Sequence, residues 1–108
     1  MPTYIVLNKF TEQGIRTVKE TVNRVDAARE TAKKFGITMK DVYWTLGSCD
    51  VVTIFEAPDD ATMTAFGLAM GSVGNVRSES LRALTRDEMK GVLKKMASVK
   101  SVKEAVPA

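Results

Sequence analysis

The sequence predicts an α+β domain of the ferredoxin-like type, with the element order β-α-β-β-α-β and one further helix at the C-terminal end. Four runs rich in β-branched and aromatic residues alternate with two amphipathic segments, and the turn Gly47–Asp50 joins the second run to the third. The 108 residues are 44% hydrophobic and 27% charged, as in one globular domain. We expect this domain to cover residues 1–97, followed by a flexible basic tail over residues 98–108.

Local signals support each element of the first half. Thr3–Phe10 has the composition of a strand. Residues 13–35 carry apolar side chains three or four positions apart, which predicts a helix, and Gly36 is suited to end it. The strand-like runs Val42–Leu46 and Val51–Ala57 are expected to form an antiparallel hairpin through the turn between them.

The second half continues the same order. Pro58–Asp60 has an acidic cap typical of a helix start, and Gly71 and Gly74 are expected to end this helix. Residues 75–84 form a fourth, more polar strand, and Thr85–Glu88 has the capping-box pattern that begins a third amphipathic helix. Two right-handed crossovers would place both long helices on one face of a four-stranded antiparallel sheet.

The sequence pattern also indicates the character of the helix-free face of this sheet. In the first strand two interleaved sets of apolar residues point to opposite faces: Tyr4, Val6 and Phe10 against Ile5 and Leu7. The third strand behaves in the same way, whereas a sheet with one wet face alternates apolar with polar residues. The second face is therefore expected to be covered, by another copy of the chain or, alternatively, by the third helix.

The composition restricts the kinds of catalytic and metal sites that the chain can contain. The chain contains no histidine, which excludes Ser-His and Cys-His nucleophile pairs and histidine-ligated metals. Cys49 is the single cysteine, which fits a reducing compartment. The start of the chain lacks signal-peptide features and no apolar run is long enough for a membrane span, so we expect a cytoplasmic protein without membrane contact. No motif calls for a metal or cofactor, and none is expected.

Several segments resemble the GYD domain family, small bacterial proteins named for a Gly-Tyr-Asp signature around the hairpin turn. The segments are the following: Pro2–Leu7, Phe10–Ile15, Val42–Asp50, Glu56–Asp60, Gly74–Arg77 and Leu81–Ala83. The resemblance implies a dimeric α+β barrel type of fold, hence a homodimer or higher oligomer, and implies little about activity. Gly47 and Asp50 match the signature, but Cys49 stands in the place of the tyrosine.

Hydrogen-bonding side chains on strands that are otherwise apolar are the candidates for a ligand site. They are Tyr4, Asn8, Tyr43, Thr45, Arg77 and Glu79. Burying such groups without partners is unfavourable, so they should satisfy one another or face a ligand-sized space between the sheet and its cover. Arg77 would bind a small anionic ligand there. Arg77 and Glu79 are two positions apart and share one face of the fourth strand, while Arg82 points to the other face. Surface ion pairs are the alternative explanation of these three residues.

Other residues have competing interpretations. Cys49 is a thiol nucleophile or, as its neighbour Asp50 favours, an unreactive cysteine of the turn. Asp50 is a general base or, more simply, a turn residue whose carboxylate accepts backbone N–H groups. Pro2, once Met1 is removed, is placed as in tautomerases that use a proline amine. Trp44 is expected in the core.

Two functions from different classes remain open. The first is a non-catalytic oligomeric domain that binds a small ligand or partner. The second is a cofactor-independent enzyme, monooxygenase- or tautomerase-like, acting on a small organic substrate in a sheet-lined cavity. RNA binding is disfavoured, because Val51–Glu56 carries one aromatic residue and lacks the stacking signature of RNA-recognition modules, and we expect no nucleic-acid partner.

Overall fold

The computed structural model describes residues 1–99, so the predicted tail lies outside the described residues from residue 100 onward. The elements are β1 (Thr3–Phe10), α1 (Glu12–Arg16), α2 (Thr21–Lys34), β2 (Thr38–Trp44), β3 (Val51–Glu56), α3 (Asp60–Val73), β4 (Val76–Ala83) and α4 (Arg86–Ala97). The strands form one antiparallel sheet in the order β2-β3-β1-β4. This confirms the predicted α+β class, and the strand order is compatible with a ferredoxin-like topology.

The core lies between the sheet and the helices α2 and α3. Its centre is Phe66 of α3, whose ring meets Phe35 and Phe55 edge to face with centroids 5.8 and 5.3 Å apart. The buried residues around it are Tyr4, Val6, Ala32, Ile37, Met39, Ala57 and Met63. On β1 the buried residues are even-numbered, so Ile5 and Leu7 point to the opposite face, where they are half-buried.

The single helix expected over residues 13–35 is interrupted, which corrects that prediction. Thr17 leaves helical geometry, and a 3-10 turn at Val18–Glu20 separates α1 from α2. The carbonyl groups freed at the break are not orphaned, because the Arg24 guanidinium donates to the oxygens of Gly14 and Thr17, both at 3.1 Å. An arginine one turn into α2 therefore stabilises the end of α1.

The break places Gly14 against the loop that precedes β4. Thr11 donates its backbone N–H to the carbonyl of Asn75 at 3.1 Å and its hydroxyl to the carbonyl of Gly74 at 2.6 Å. A Cβ on Gly14 would lie only 2.0 Å from the Asn75 oxygen. Two segments far apart in the sequence are thus held together at a point where only glycine fits.

Gly14→Ala and Gly67→Ala should change stability in opposite directions. The first forces two backbone segments apart and is expected to cost roughly 1–3 kcal/mol. The second adds a methyl group that meets nothing within 4 Å, inside a helix where alanine is favoured over glycine by about 1 kcal/mol. Urea unfolding of both variants measures the two free-energy changes; an equal response at the two sites would contradict this account.

α4 begins with the predicted capping box: Glu88 donates its N–H to the Thr85 hydroxyl, and Thr85 donates its N–H to the Glu88 carboxylate. The second bond holds the pKa of Glu88 below its usual value. No residue of α4 is buried, and its apolar residues are 41–68% exposed: Met89, Val92, Leu93 and Met96. The alternative that the third helix covers the second face of the sheet is therefore wrong for this chain.

Candidate functional site

The helix-free side of the sheet, called the open face below, carries an apolar centre. Ile5 lies in the middle, paired in register with Ile54 of β3 and Leu81 of β4. Leu7 and Val52 form a second row beside it. These residues are half-buried, apart from Leu81, which is 42% exposed. The expectation of two apolar sheet faces is thus confirmed, and contiguous exposed apolar surface of this kind indicates an interaction site.

Charged residues border this apolar centre. Arg77 lies opposite Lys9 and Glu79 lies opposite Leu7, all on the open face. A shallow depression of about 370 Å³ is lined by these charged side chains and by Cys49 of the hairpin turn. Within the described residues neither Lys9 nor Arg77 has a carboxylate within 4 Å. Two neighbouring cations without such a partner make an arrangement that attracts an anion.

The six candidate ligand residues do not form one site. Tyr43 shares the open face with Arg77 and Glu79, and it is 57% exposed. Tyr4 and Asn8 are buried on the helix side, since they have the same parity along β1 as the core residue Val6. Tyr4 and Asn8 thus lie on the opposite sheet face from Arg77, although Tyr4 and Arg77 both line the groove described below. Ligand binding by either group stays a prediction.

Asn8 is fully engaged in the fold. Its amide group donates to the carbonyl of Val51 at 3.2 Å and to the hydroxyl of Thr53 at 3.3 Å. Its carbonyl oxygen accepts from the Ser78 hydroxyl at 2.6 Å. These bonds tie β1 to both neighbouring strands, which explains a buried amide in the sheet without a ligand.

The signature turn is attached to the end of β1. The Asp50 carboxylate accepts the backbone N–H of Phe10 at 2.8 Å, and the Asp50 N–H donates to the carbonyl of Asn8 at 2.8 Å. Thr45 donates its hydroxyl to the carbonyl of Cys49 at 2.7 Å, and Gly47 adopts a φ of +114°, which favours glycine. Asp50 therefore accepts a backbone N–H, as predicted, but the N–H belongs to Phe10 at the end of β1 and not to its own turn. Thr45 also stabilises the turn.

Asp50→Ala should destabilise the protein by roughly 1.5–3 kcal/mol, because a charged acceptor is lost and the Phe10 N–H loses its partner. Asp26→Ala is the matched control, since Asp26 faces solvent on α2 and its contact with Arg29 is a long surface pair of 3.7 Å, worth little. Urea unfolding should separate the two variants clearly. Equal losses of stability in the two variants would mean that the bond from Asp50 to the Phe10 N–H contributes no more than a surface carboxylate does.

A second concave region lies on the helix side, between α3 and the edge strand β4. This groove has a volume of about 850 Å³. Tyr4 donates its hydroxyl to the carboxylate of Asp60, and the guanidinium carbon of Arg82 lies 5.7 Å from the centre of the Tyr4 ring. Burial, followed by the bond to Asp60, raises the pKa of Tyr4, so the hydroxyl keeps its proton at neutral pH.

Sequence reasoning placed Arg82 correctly on the face opposite Arg77 but assigned Asp60 only to the helix cap. Asp59 is the cap, because its carboxylate accepts the N–H of Thr62 at 2.7 Å. In a Pro-Asp-Asp helix start the first aspartate caps the helix, so the second is free for another role. This pattern is the sequence signal that could have identified Asp60. Within residues 1–99 no three possible metal ligands cluster, and no helix is long and apolar enough to cross a membrane.

Comparison with known proteins gives two findings. The family model described as the GYD domain matches residues 4–93, which include the open face, the signature turn and the first two turns of α4. A protein of Thermus thermophilus named "Glutamine synthetase and cystathionine beta-lyase binding protein" is 34% identical over 85 residues, which cover 78% of this chain and 90% of that relative. The match spans most of both chains, and the chain therefore belongs to the GYD domain family.

Proposed function

We propose that this protein is a non-catalytic binding domain that assembles with itself through the open face and then binds a protein partner. The observation that carries the proposal is the apolar centre around Ile5, which no helix of the described chain covers. A small domain that leaves both a sheet face and a helix stripe uncovered has surfaces suited to association rather than to chemistry.

A second copy is the occupant that suits the open face. Two such faces related by a twofold axis would bury their apolar centres against each other, and each copy would supply the same patch. Lys9 and Arg77 lie on the same face as Glu79, so the twofold operation can bring opposite charges together at the border. The dimeric barrel implied by the family resemblance is this arrangement.

α4 is the surface proposed for the protein partner. Met89, Val92, Leu93 and Met96 recur at the spacing of one helical stripe, and none of them is buried. A helix of this length is marginally stable alone in water, so packing against another molecule would stabilise it. The name of the Thermus relative suggests the kind of partner, a metabolic enzyme. A reducing cytoplasm, in keeping with the single Cys49, is the location proposed.

The cationic pair Lys9 and Arg77 is the proposed place for a small anionic ligand or for a carboxylate of the partner. It borders the signature turn through the depression that Cys49 also lines. This keeps the predicted role of Arg77, with Lys9 and Glu79 as its neighbours in place of Tyr4 and Asn8.

The test uses the full chain with purified glutamine synthetase and cystathionine β-lyase from the organism that encodes it. We expect light scattering at micromolar concentration to give a mass above one chain, and calorimetry to show binding to at least one enzyme. Leu93→Ala should weaken that binding about tenfold or more, whereas Lys94→Ala, on the other side of the same helix, should not. A monomer that binds neither enzyme would contradict the proposal.

A further inference from the structure

The groove between α3 and β4 has a floor and walls of different chemistry. Tyr4 of β1 forms part of the floor, and the hydroxyl-bearing side chains of Ser78 and Ser80 line the β4 side. The α3 side carries Gly67 and Gly71, where a Cβ would meet nothing within 4 Å. The volume of about 850 Å³ lies in the range of small-molecule sites. The space beside these glycines is therefore open to a ligand.

Opposite charges stand at one end of this groove without neutralising each other. Asp60 is at the hydroxyl of Tyr4, and Arg82 is over the ring of the same tyrosine. Within the described residues Asp60 and Arg82 form no ion pair at 4.0 Å or less. Tyr4 is buried and thus fixes both the carboxylate and the guanidinium relative to the sheet.

Both groups keep hydrogen-bonding capacity. Asp60 accepts from Tyr4 through Oδ1, and its Oδ2 accepts no hydrogen bond from the described residues. Arg82 uses Nη1 for the carbonyl of Ala83 and Nη2 for the Glu88 carboxylate at 3.4 Å, which leaves other N–H donors of the five free. A ligand can therefore bind both groups without removing either from the fold.

The geometry points to a binding site for a small zwitterion, a free α-amino acid, with its ammonium group on Asp60 and its carboxylate on Arg82. A plain anion would meet the repulsion of Asp60, and a plain cation that of Arg82, whereas a zwitterion satisfies both. The Ser80 hydroxyl, opposite Val6 on the helix side of β4, adds a neutral donor and acceptor between the groove walls. The ligand side chain would extend along the glycines of α3.

This site lies on the opposite side of the sheet from the open face. The test of this site is therefore independent of the test of self-assembly. The test is an NMR titration of the full chain with L-alanine and L-glutamine, compared with propionate and ethylamine as half-ligands. We expect saturable shifts of amide signals at the start of α3 and along β4. Each half-ligand should bind about tenfold or more weakly than the amino acid, because one charged contact is missing.

The variants are chosen in matched pairs. Arg82→Ala and Asp60→Asn should each weaken amino-acid binding about tenfold or more. Arg29→Ala removes the same charge from α2, no residue of which lines the groove, and should leave binding unchanged. Gly67→Leu fills the groove without a clash of its Cβ with the protein, and should abolish binding while the fold is kept, which guards against loss of the Arg82–Glu88 contact as the cause.

Three results would overturn the assignment. The first is the absence of saturable shifts with either amino acid. The second is propionate binding as tightly as L-alanine, which would show a plain anion site. The third is a loss in Arg29→Ala equal to that in Arg82→Ala, or full binding in Gly67→Leu, since either would place the ligand outside the groove.

Discussion

Ile5→Asp is expected to yield a folded monomer. Ile5 is flanked by Ile54 and Leu81 at the centre of the open face, so an aspartate there would be buried without a partner when two copies meet. Such an uncompensated charge costs roughly 3–5 kcal/mol, which weakens association by more than about a hundredfold. Light scattering gives the mass, and circular dichroism reports whether the fold persists.

The neighbouring position supplies the control. Val6 is 5% exposed and lies in the core on the helix side, so Val6→Asp should unfold the chain instead of dissociating it. Two adjacent substitutions of the same kind thus have different outcomes, one at the level of assembly and one at the level of folding. A wild-type mass for Ile5→Asp would remove the open face from the interface.

Phe66→Ala should cost roughly 3–5 kcal/mol of stability, because it leaves a cavity where the rings of Phe35 and Phe55 meet Phe66 edge to face. A loss of this size is a large fraction of the total stability of a small domain. Thermal and urea unfolding of the variant measure it, with circular dichroism as the signal.

Leu68→Ala is its control on the same helix. Leu68 is 70% exposed, so removing its side chain deletes little buried surface and should change stability by about 0.5 kcal/mol or less. Comparable losses for Phe66→Ala and Leu68→Ala would show that α3 packs against the sheet through a different side. The pair therefore tests the orientation of the helix that forms one wall of the groove.

Local signals predicted most of the fold. β1 has the predicted bounds, the Thr85 capping box forms, and Gly36 and Gly74 take positive φ values of 73° and 92° at the ends of their helices. These features depend on residues close in sequence, which is why they are readable. The break after α1 is different, because it depends on the approach of Gly14 to Asn75, sixty-one positions away.

Trp44 shows how position in the sheet overrides residue type. It was expected in the core, but β2 is an edge strand, and the indole is 44% exposed with its Nε1 donating to the Thr21 hydroxyl at 3.0 Å. Strand order follows from long-range pairing, which a single sequence does not display. For the same reason, the sequence alone did not decide whether a second copy or α4 covers the second face of the sheet.

The candidate site was predictable in part. Alternation along β4 correctly separated Arg77 and Glu79 from Arg82, because it needs only the period of a strand. Grouping Tyr4 and Asn8 with Arg77 required knowing how β1 and β4 align. Because Lys9 pairs with Arg77, Tyr4 and Asn8 lie on the helix side of the sheet and Arg77 lies on the open face. A shift of one residue in the assumed register exchanges the faces.

The position of β4 at the end of the sheet has a consequence for solubility. Its outer side pairs with no strand of residues 1–99. The backbone N–H and C=O groups on alternate residues of this eight-residue strand point away from β1 and form a template for strand addition. Arg77, Glu79 and Arg82 place charges on both sides of this strand and oppose such stacking. Replacing all three with valine would give chains that fold but grow into extended sheets, so these charges guard against aggregation whatever else they bind.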